Sequence, residues 1–352
     1  MLKNPPIDLR SDFLAHPTDR MLDAYQAAAR SGSYGLREDP RQRELEAKLA
    51  GLLGCEDALI FPTCTMANEA ALLLHATPGD TVVTQESVHV LTSEAGGAAA
   101  LAGVILRCVP GQSAEAPIAQ WLESARPAAG AAQSNPSLCW IENTHTRFGG
   151  AALSPAYCRE LVTALRAQYG VKLHLDGARL LYAAAALDTT PAALSAPFDT
   201  VSISLNKGLG SPIAAALAGP RAAISRVERI RQRLGGGIRP VAAGAAATLV
   251  ALEDFSHLRH DLRRAKHFAA RLSGCAKLDF ATWPVASNLV LFGLKSASPA
   301  ASEIVARCAS RGLLIASPSP GRLRAVFYRG ITDEDVERAT QIVVHVIQET
   351  GN

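Results

Sequence analysis

The feature that most constrains the fold is an alternation of short apolar segments with helical segments between residues 58 and 219. Several of the apolar segments lack the polar alternation of a half-exposed strand, as expected of strands that helices cover on both faces. We predict strands at 58–62, 81–84, 104–109, 138–142, 172–176 and 200–205, with helices at 65–76 and 155–169 among the segments between them. This order indicates an α/β fold with a mostly parallel, doubly wound sheet.

The pattern changes near residue 244. A long helical region rich in Ala and Arg, about 242–272, precedes a smaller unit with predicted strands at 288–293 and 323–328 and predicted helices at 300–311 and 333–349. A chain of 352 residues exceeds the usual size of one compact core. We therefore predict an N-terminal arm and large domain over 1–245, and a small α+β C-terminal domain over 246–352.

Charge and cysteine usage narrow the class of protein. A net charge of +3 is too small to predict binding to nucleic acid or to an anionic membrane, and the arginines between 221 and 239 are interpreted as a solvated helix face. The seven cysteines are scattered singly, as is typical of reduced thiols. No segment approaches the ~20 apolar residues that span a bilayer, and the N-terminus lacks the apolar stretch of a signal peptide. We expect a cytoplasmic protein.

Two motifs combine an acid with an amine. Asp176 closes an apolar strand in LHLDGAR, at the strand end where α/β sheets bind ligands, although many such aspartates only cap a helix. Lys207 lies 31 residues further on, in SLNKGLG, between a predicted strand and a glycine-rich turn in which Gly208 and Gly210 would let the backbone approach a planar ligand. Pyridoxal 5'-phosphate (PLP) needs such a pair, an acid for its pyridine nitrogen and an amine for its aldehyde.

Two further motifs fit the same cofactor. FPTCTMAN, residues 61–68, runs from a strand into a helix start, where backbone N–H groups and the hydroxyls of Thr63 or Thr65 suit a phosphate, with plain N-capping as the alternative. His89 follows another strand and could stack on a cofactor ring, although a lone histidine there is more often a structural hydrogen-bonding residue.

The motifs taken in order resemble the low-specificity L-threonine aldolases, which are fold-type I PLP-dependent enzymes. The resemblance covers nearly the whole chain, through IDLRSD (7–12), YGLREDP (34–40), PTCTMAN (62–68), GDTVVTQESVHVLTSEAGGAAAL (79–101), ENTHTRFGG (142–150), KLHLDGARL (172–180), FDTVSISLNKGLGSP (198–212) and LGGGIRP (234–240), and more loosely through RLRAVFY (322–328). It implies a PLP-binding large domain of fold-type I.

The resemblance assigns roles residue by residue. It implies that Lys207 forms the Schiff base, that Asp176 binds the pyridine nitrogen, that His89 stacks on the ring and that Arg179 lies beside the phenolic oxygen. It places the phosphate at Thr63, Cys64 and Thr65. Three roles concern the substrate or the neighbouring subunit: Ser11 and Arg324 bind the substrate carboxylate, Arg239 reaches the phosphate across a subunit interface, and Tyr34 serves the neighbouring site. A homodimer or homotetramer is implied.

Some positions depart from the family pattern. Thr63-Cys64-Thr65 replaces the usual Ser-Gly-Thr, and Phe13-Leu14-Ala15 replaces a polar segment after Ser11-Asp12. Two extra residues, Leu36-Arg37, lengthen the loop that carries Tyr34. A second substrate-side histidine is missing, and Phe327-Tyr328 stands where Thr-His is usual. We therefore expect an intact cofactor site and an altered substrate pocket.

The predicted reaction is retro-aldol cleavage of a β-hydroxy-α-amino acid to glycine and an aldehyde, with His89 or a water that it positions as the base. The alternatives are β-elimination or racemisation on the same cofactor, because one fold hosts many reactions, and a non-catalytic protein of the same fold. His257 and His260 could pair on a helix, but no third ligand is evident and no metal site is predicted. Phe13 leads us to expect a bulky or aromatic β-substituent.

Overall fold

The computed structural model describes residues 5–280, 282, 284–296 and 300–349. Its strands are β1 (Ile7–Asp8), β2 (Asp57–Phe61), β3 (Thr81–Gln85), β4 (Ile105–Val109), β5 (Pro136–Glu142), β6 (Lys172–Gly177), β7 (Thr200–Ser204), β8 (Ala215–Gly219), β9 (Leu278–Asp279), β10 (Leu289–Leu294), β11 (Leu313–Leu314), β12 (Ala316–Ser319) and β13 (Arg322–Val326).

The helices of the described residues are α1 (Asp19–Ala28), α2 (Pro40–Leu53), α3 (Cys64–His75), α4 (His89–Thr92), α5 (Gly97–Ala100), α6 (Ile118–Ser124), α7 (Pro155–Tyr169), α8 (Leu180–Ala186), α9 (Pro191–Ser195), α10 (Arg221–Arg233), α11 (Ala242–Ala251), α12 (His257–Leu272), α13 (Ala301–Ser310) and α14 (Asp333–Glu349). Local sequence explains their ends. In α7, for example, the Ser154 hydroxyl caps the first turn, Pro155 occupies the first helical position, and Gly170 ends the helix with φ +64°. No helix in this part of the chain is long and apolar enough to cross a membrane.

The central sheet confirms the predicted α/β architecture. Its strand order is β2-β8-β7-β6-β5-β3-β4, and β8 alone runs antiparallel to its two neighbours. Alternate residues of one strand enter the two layers that cover the sheet, since Leu59 and Phe61 pack in one apolar cluster while Ala58 and Ile60 pack in the other. Both faces are therefore covered, which explains the apolar character of the strands.

The predicted C-terminal elements are present as a second layer system. Strands β12-β13-β10-β9 form an antiparallel sheet, against which α12, α13 and α14 pack. The helical region predicted over 242–272 is two helices, α11 and α12, separated at 252–256.

The N-terminal arm joins this C-terminal unit. Strand β1 pairs in parallel with β11, and the Val326 N–H donates to the Leu9 carbonyl at 2.8 Å. Ile7 and Leu9 are buried in the same apolar cluster as Phe268 and Phe327. This anchorage brings the residues that follow β1, from Ser11 onward, to the edge of the large sheet.

Candidate active site

The carboxyl ends of three parallel strands bring acidic residues and a lysine together. In the sheet register Glu142 of β5 lies beside Asp176 of β6, which lies beside Ser202 of β7. Lys207 follows the end of β7, and its residue exposure is 8%. The acid and the amine that the sequence predicts for one crevice therefore come from adjacent strands.

A cavity of about 390 Å³ opens at this edge. Five of the predicted site residues line it: Ser11, His89, Arg179, Lys207 and Arg324. The other lining residues are Phe13, Ser87, Thr92, Ser93, Glu142, Thr146, Arg147, Ala316, Ser317 and Pro318. Larger surface hollows, such as one of about 660 Å³ beside Ser296 and Pro320, contain none of the predicted residues. The polar cavity at the strand ends is therefore the candidate active site.

Lys207 lies under an aromatic ring. Its Nζ is 5.0 Å from the centroid of Phe13, which is 57% exposed and contributes an apolar wall to an otherwise polar cavity. The two glycines of the lysine loop have positive φ, and protein atoms occupy the space in which a Cβ would lie. A Cβ on Gly208 would lie 2.4 Å from the Tyr182 hydroxyl, and one on Gly210 would lie 2.4 Å from the His16 carbonyl oxygen. Both glycines are therefore required by packing within the chain, and their close approach to a planar ligand stays a prediction.

Asp176 is fully buried beneath the cavity. One carboxylate oxygen accepts from Asn68 Nδ2 at 2.9 Å, and the other accepts from the Ala178 N–H at 3.1 Å. Burial and the nearby Glu142 and Glu94 raise the pKa of Asp176 to about 6. A positively charged partner placed against this carboxylate would lower that pKa and relieve the electrostatic cost.

His89 begins the short helix α4 and is held by two carboxylates. Its backbone N–H donates to Glu142 Oε2 at 2.6 Å, and its ring Nδ1 lies 2.7 Å from Glu94 Oε1. The hydrogen bond to Glu94 raises the pKa of His89 above its ordinary value. His89 is the one histidine lining the cavity within the described part of the chain.

Arg179 has a partner that the sequence did not reveal. Its Nε and Nη2 donate to the two carboxylate oxygens of Asp12 at 2.7 and 2.8 Å, and its Nη1 donates to Thr146 Oγ1 at 3.2 Å. Asp12 also accepts from Asn288 Nδ2 at 3.2 Å. Burial by itself raises the pKa of Asp12, but Arg179 outweighs it, and the net pKa is lowered. The sequence did offer a signal that Asp12 belongs to the site, because Asp12 is part of the IDLRSD motif.

The segment 63–65 forms the N-terminus of α3. The Thr63 hydroxyl caps the helix by accepting from the Met66 N–H at 3.0 Å. Burial is the main cause, and the charge of Asp176 the next, that raises the pKa of the Cys64 thiol far above its usual value. The sulfur is therefore a neutral group. The Thr63 hydroxyl is therefore the N-cap, and the backbone N–H groups of this helix start, with the Thr65 hydroxyl, are the groups that suit a phosphate.

Ser11 and Arg324 both line the cavity. Ser11 Oγ accepts from the Phe13 N–H at 3.2 Å, while Arg324 extends from β13 and donates through Nη2 to the Arg10 carbonyl at 3.2 Å. Arg324 Nε is buried without a hydrogen-bond partner among the described residues. A buried guanidinium N–H that lacks a partner is a ready donor for an anionic ligand.

Tyr34 and Arg239 lie together, away from this cavity. Arg239 Nη1 donates to the Tyr34 carbonyl at 3.3 Å, and the Tyr34 side chain is 92% exposed. The loop that carries Tyr34 is anchored by Arg37, one of its two extra residues. Arg37 pairs with Glu46 at 2.7 Å and with Asp57 at 2.9 Å. Within one chain, Tyr34 and Arg239 therefore do not line the cavity that five other predicted residues line.

Two motifs outside the site also have structural explanations. Arg221–Arg233 forms α10, as the solvated-face interpretation requires, but Arg231 is buried and donates to the Ile60 carbonyl at 2.9 Å. His257 Nε2 lies 3.0 Å from the Gly208 carbonyl oxygen and so supports the lysine loop.

Comparisons with known proteins agree with the family resemblance of the sequence motifs. Residues 8–292 match the Beta-eliminating lyase family. Low-specificity L-threonine aldolase 1 of Arabidopsis thaliana is 32% identical over 335 residues, which cover 94% of this chain and 93% of that protein. An alanine racemase of Cochliobolus carbonum is 32% identical over 247 residues, 70% of this chain and 62% of that protein. The solved threonine aldolase of Leishmania major superposes with a TM-score of 0.84 at 20% identity, covering 97% and 100% of the two chains.

The architecture is the fold-type I architecture of PLP-dependent enzymes, as predicted from the sequence. The family match spans most of the chain, and the Arabidopsis relative is aligned over nearly its full length. The chain therefore belongs to the beta-eliminating lyase family and, within it, is similar to the low-specificity L-threonine aldolases. The resemblance stated from the motifs is confirmed.

Proposed function

We propose that the protein is a PLP-dependent carbon–carbon lyase that cleaves a β-hydroxy-α-amino acid to glycine and an aldehyde. The observation that carries the proposal is the placement of Lys207 and Asp176 at adjacent strand ends, where Lys207 lines a cavity together with His89 and Arg324. The Arabidopsis relative, named as a low-specificity L-threonine aldolase, supports this reaction.

The donor set fits PLP. Lys207 would supply a primary amine for the aldehyde, and the buried Asp176 carboxylate would pair with a protonated pyridine nitrogen. The helix start at Thr63, Cys64 and Thr65 offers backbone N–H groups to a phosphate. When bound, the cofactor accepts the electron pair that is released at the substrate Cα.

The remaining roles belong to the chain's own side chains. Arg324, whose buried Nε has no partner among the described residues, would bind the substrate carboxylate together with Ser11. His89 would take the proton of the β-hydroxyl group as the Cα–Cβ bond breaks, either directly or through a water. Arg179 is committed to Asp12 through Nε and Nη2, so its role beside the cofactor oxygen would rest on Nη1.

The active unit is proposed to be a homodimer or homotetramer. Tyr34 is 92% exposed, and Arg239 lies with it outside the cavity, so both could serve the site of a neighbouring subunit. A two-fold axis would give two equivalent sites at one interface.

All seven cysteines are free thiols, which supports a reducing, cytoplasmic location.

A second candidate is racemisation at Cα, which is favoured by the alanine racemase among the relatives. Racemisation breaks the Cα–H bond and keeps the side chain, whereas aldol cleavage breaks the Cα–Cβ bond and releases an aldehyde. β-Elimination would release the β-substituent instead. The three reactions therefore differ in their products.

The test is incubation of the PLP-loaded protein with a panel of β-hydroxy-amino acids, alanine enantiomers and amino acids with a β leaving group. We expect glycine and an aldehyde in equal amounts from the β-hydroxy-amino acids. Exchange of chirality without release of aldehyde would establish racemisation. Formation of a 2-oxo acid and ammonia, with release of the β leaving group and no glycine, would establish β-elimination.

A further inference from the structure

A chain of hydrogen bonds joins His89 to Asp176 through two buried side chains that have no assigned role. His89 Nδ1 lies 2.7 Å from Glu94 Oε1, and Asn68 Nδ2 donates to the same oxygen at 2.8 Å. Asn68 Nδ2 also donates to Asp176 Oδ2 at 2.9 Å, and Ser202 Oγ donates to Asn68 Oδ1 at 2.7 Å. The network links the one cavity histidine of the described residues to the buried carboxylate of Asp176.

The orientation of the Asn68 amide follows from its neighbours. Its nitrogen faces two carboxylates, Glu94 and Asp176, which accept hydrogen bonds when ionised. The opposite orientation would place the amide oxygen against both carboxylates and leave them without this donor. The Asn68 amide therefore separates two buried acids by donating one N–H to each of them.

The same logic assigns a proton on His89. Glu94 Oε1 accepts from Asn68, so the short contact to His89 Nδ1 requires the imidazole nitrogen to carry the hydrogen. His89 Nε2 has no hydrogen-bond partner among the described residues, and the ring lines the cavity. The side chain of Glu94 is 0% exposed, so the carboxylate is shielded from competing water.

We infer that Glu94 is a positioning residue, which holds a proton on His89 Nδ1, leaves Nε2 as the proton-accepting atom of the ring, and is tied to Asp176 through Asn68. The inference rests on the proposed function, because it assigns His89 the role of the base. A carboxylate that orients a histidine in this way strengthens it as a proton acceptor.

Other charged groups face this pair and bear on its titration. His89 is near Asp176 and Lys207 as well as Glu94, and Glu142 accepts from its backbone. On α3, Glu69 is buried against Gly97, and neither of its carboxylate oxygens has a hydrogen-bond partner among the described residues. Burial and the charge of Glu94 raise the pKa of Glu69 to about 7. Cys64 also lies near Glu94, but its raised pKa keeps the thiol neutral. Glu69 is therefore the neighbouring acid that must be controlled.

The test is nitrogen NMR of the PLP-loaded protein labelled with ¹⁵N-histidine, with His89→Gln used to identify the His89 signals. We expect the neutral ring to be protonated at Nδ1 in the wild-type protein. In Glu94→Gln the pKa of His89 should fall by about 1 or more, because the opposite charge is removed. Glu94→Asp, which keeps the charge, should retain part of the effect.

Kinetics provide the second readout. In Glu94→Gln the acid limb of kcat/KM against pH should move down with the His89 pKa, and kcat should fall about 10-fold while KM changes little. Glu86→Gln is the matched control, since Glu86 lies exposed three residues before His89 and should leave both readouts unchanged. Glu69→Gln shows whether that acid, rather than Glu94, sets the titration.

The outcomes separate this inference from the proposed function. A neutral His89 ring protonated at Nε2, or a His89 pKa that is unchanged in Glu94→Gln, would overturn the inference whatever the reaction is. A shifted His89 pKa together with no aldehyde from any substrate would support the positioning role and overturn the aldolase proposal instead. The wild-type measurement alone tests the proton assignment if the Glu94 variants fail to fold.

Discussion

Arg179 and Asp12 form a bidentate ion pair in which both partners are buried, with N–O distances of 2.7 and 2.8 Å. The pair ties the segment that follows β6, and with it Asp176, to the N-terminal arm that carries Ser11 and Phe13. Because β1 of the same arm pairs with β11, the ion pair also connects the two layer systems of the chain. It therefore joins the segment that carries the proposed cofactor residue Asp176 to the arm that carries the proposed substrate residue Ser11.

Removing one member of this pair should destabilise the protein strongly. In Asp12→Asn the Arg179 guanidinium keeps its burial but loses its counter-charge, and breaking a buried pair costs about 3–5 kcal/mol. Asp8→Asn is the matched control, because Asp8 pairs with a largely exposed Arg10 and should cost about 1 kcal/mol or less. Chemical denaturation at pH 7 measures both free energies of unfolding.

The same pair gives a dependence of stability on pH. The pKa of Asp12 is lower in the folded protein than in the unfolded chain, where it is about 3.9. The ion pair therefore contributes its full stabilisation above the unfolded-state pKa. It is lost as the pH falls through the folded pKa. In Asp12→Asn the acid-induced loss of stability should therefore be shallower than in the wild type. Parallel curves for the two proteins would show that the pair does not contribute.

The second prediction concerns Lys207. The purified wild-type protein should be yellow, and borohydride should attach the cofactor irreversibly, whereas Lys207→Ala should show neither property. Lys172→Ala is the control, because Lys172 begins β6 with a largely exposed side chain and should behave as wild type. Mass spectrometry of borohydride-treated protein checks the position, and a cofactor adduct on another lysine of Lys207→Ala would refute the assignment.

The third prediction separates cofactor binding from turnover. Asp176→Asn keeps the side-chain volume and removes a carboxylate that would pair with the pyridine nitrogen. We expect this variant to retain some cofactor, measured by absorbance after dialysis, and to lose most of its turnover. Near-normal turnover in Asp176→Asn would contradict the role of this carboxylate.

The fourth prediction tests the shared site. Lys207→Ala and Arg239→Ala should each be inactive, because each subunit lacks one part of a site that two chains build. When the two variants are mixed and their subunits exchange, about a quarter of the wild-type activity should return. Half of the dimers are then hybrids, and each hybrid has one intact site of two. Mixtures that exchange subunits without recovering activity would show that each chain builds its own site.

The pair of Lys207 and Asp176 could be predicted because chain order alone places both at the ends of parallel strands. Asp12 could not be assigned to Arg179 in this way, since the two residues are 167 positions apart and meet only through the arm. Strand β8 was missed because its sequence, AALAG, has helix-like composition and is a strand only through its neighbours β2 and β7. The pairing of Asn68 with Asp176 likewise exists only after α3 packs against β6, and that of Asn68 with Glu94 only after α3 packs against the segment between α4 and α5.

The last prediction concerns the substrate, and it depends on Phe13. The ring lines the cavity, is 57% exposed, and lies over Lys207 Nζ at 5.0 Å, so it is not packed away under the arm. A bulky β-substituent that buries about 40–80 Å² of apolar surface on this ring would gain about 1–2 kcal/mol, or about 10-fold in selectivity.

We therefore expect β-phenylserine-like substrates to be cleaved with a higher kcat/KM than threonine. Phe13→Thr should move this ratio toward threonine by about 10-fold, because the apolar wall becomes a hydroxyl. Leu22→Thr is the control, since Leu22 is an apolar side chain of similar exposure on α1 that does not line the cavity. The ratio of kcat/KM for the two substrates is the measurement, because it is unaffected by the fraction of folded enzyme. An unchanged ratio in Phe13→Thr, with a lowered melting temperature, would show that Phe13 serves stability and that the substrate binds elsewhere in the cavity.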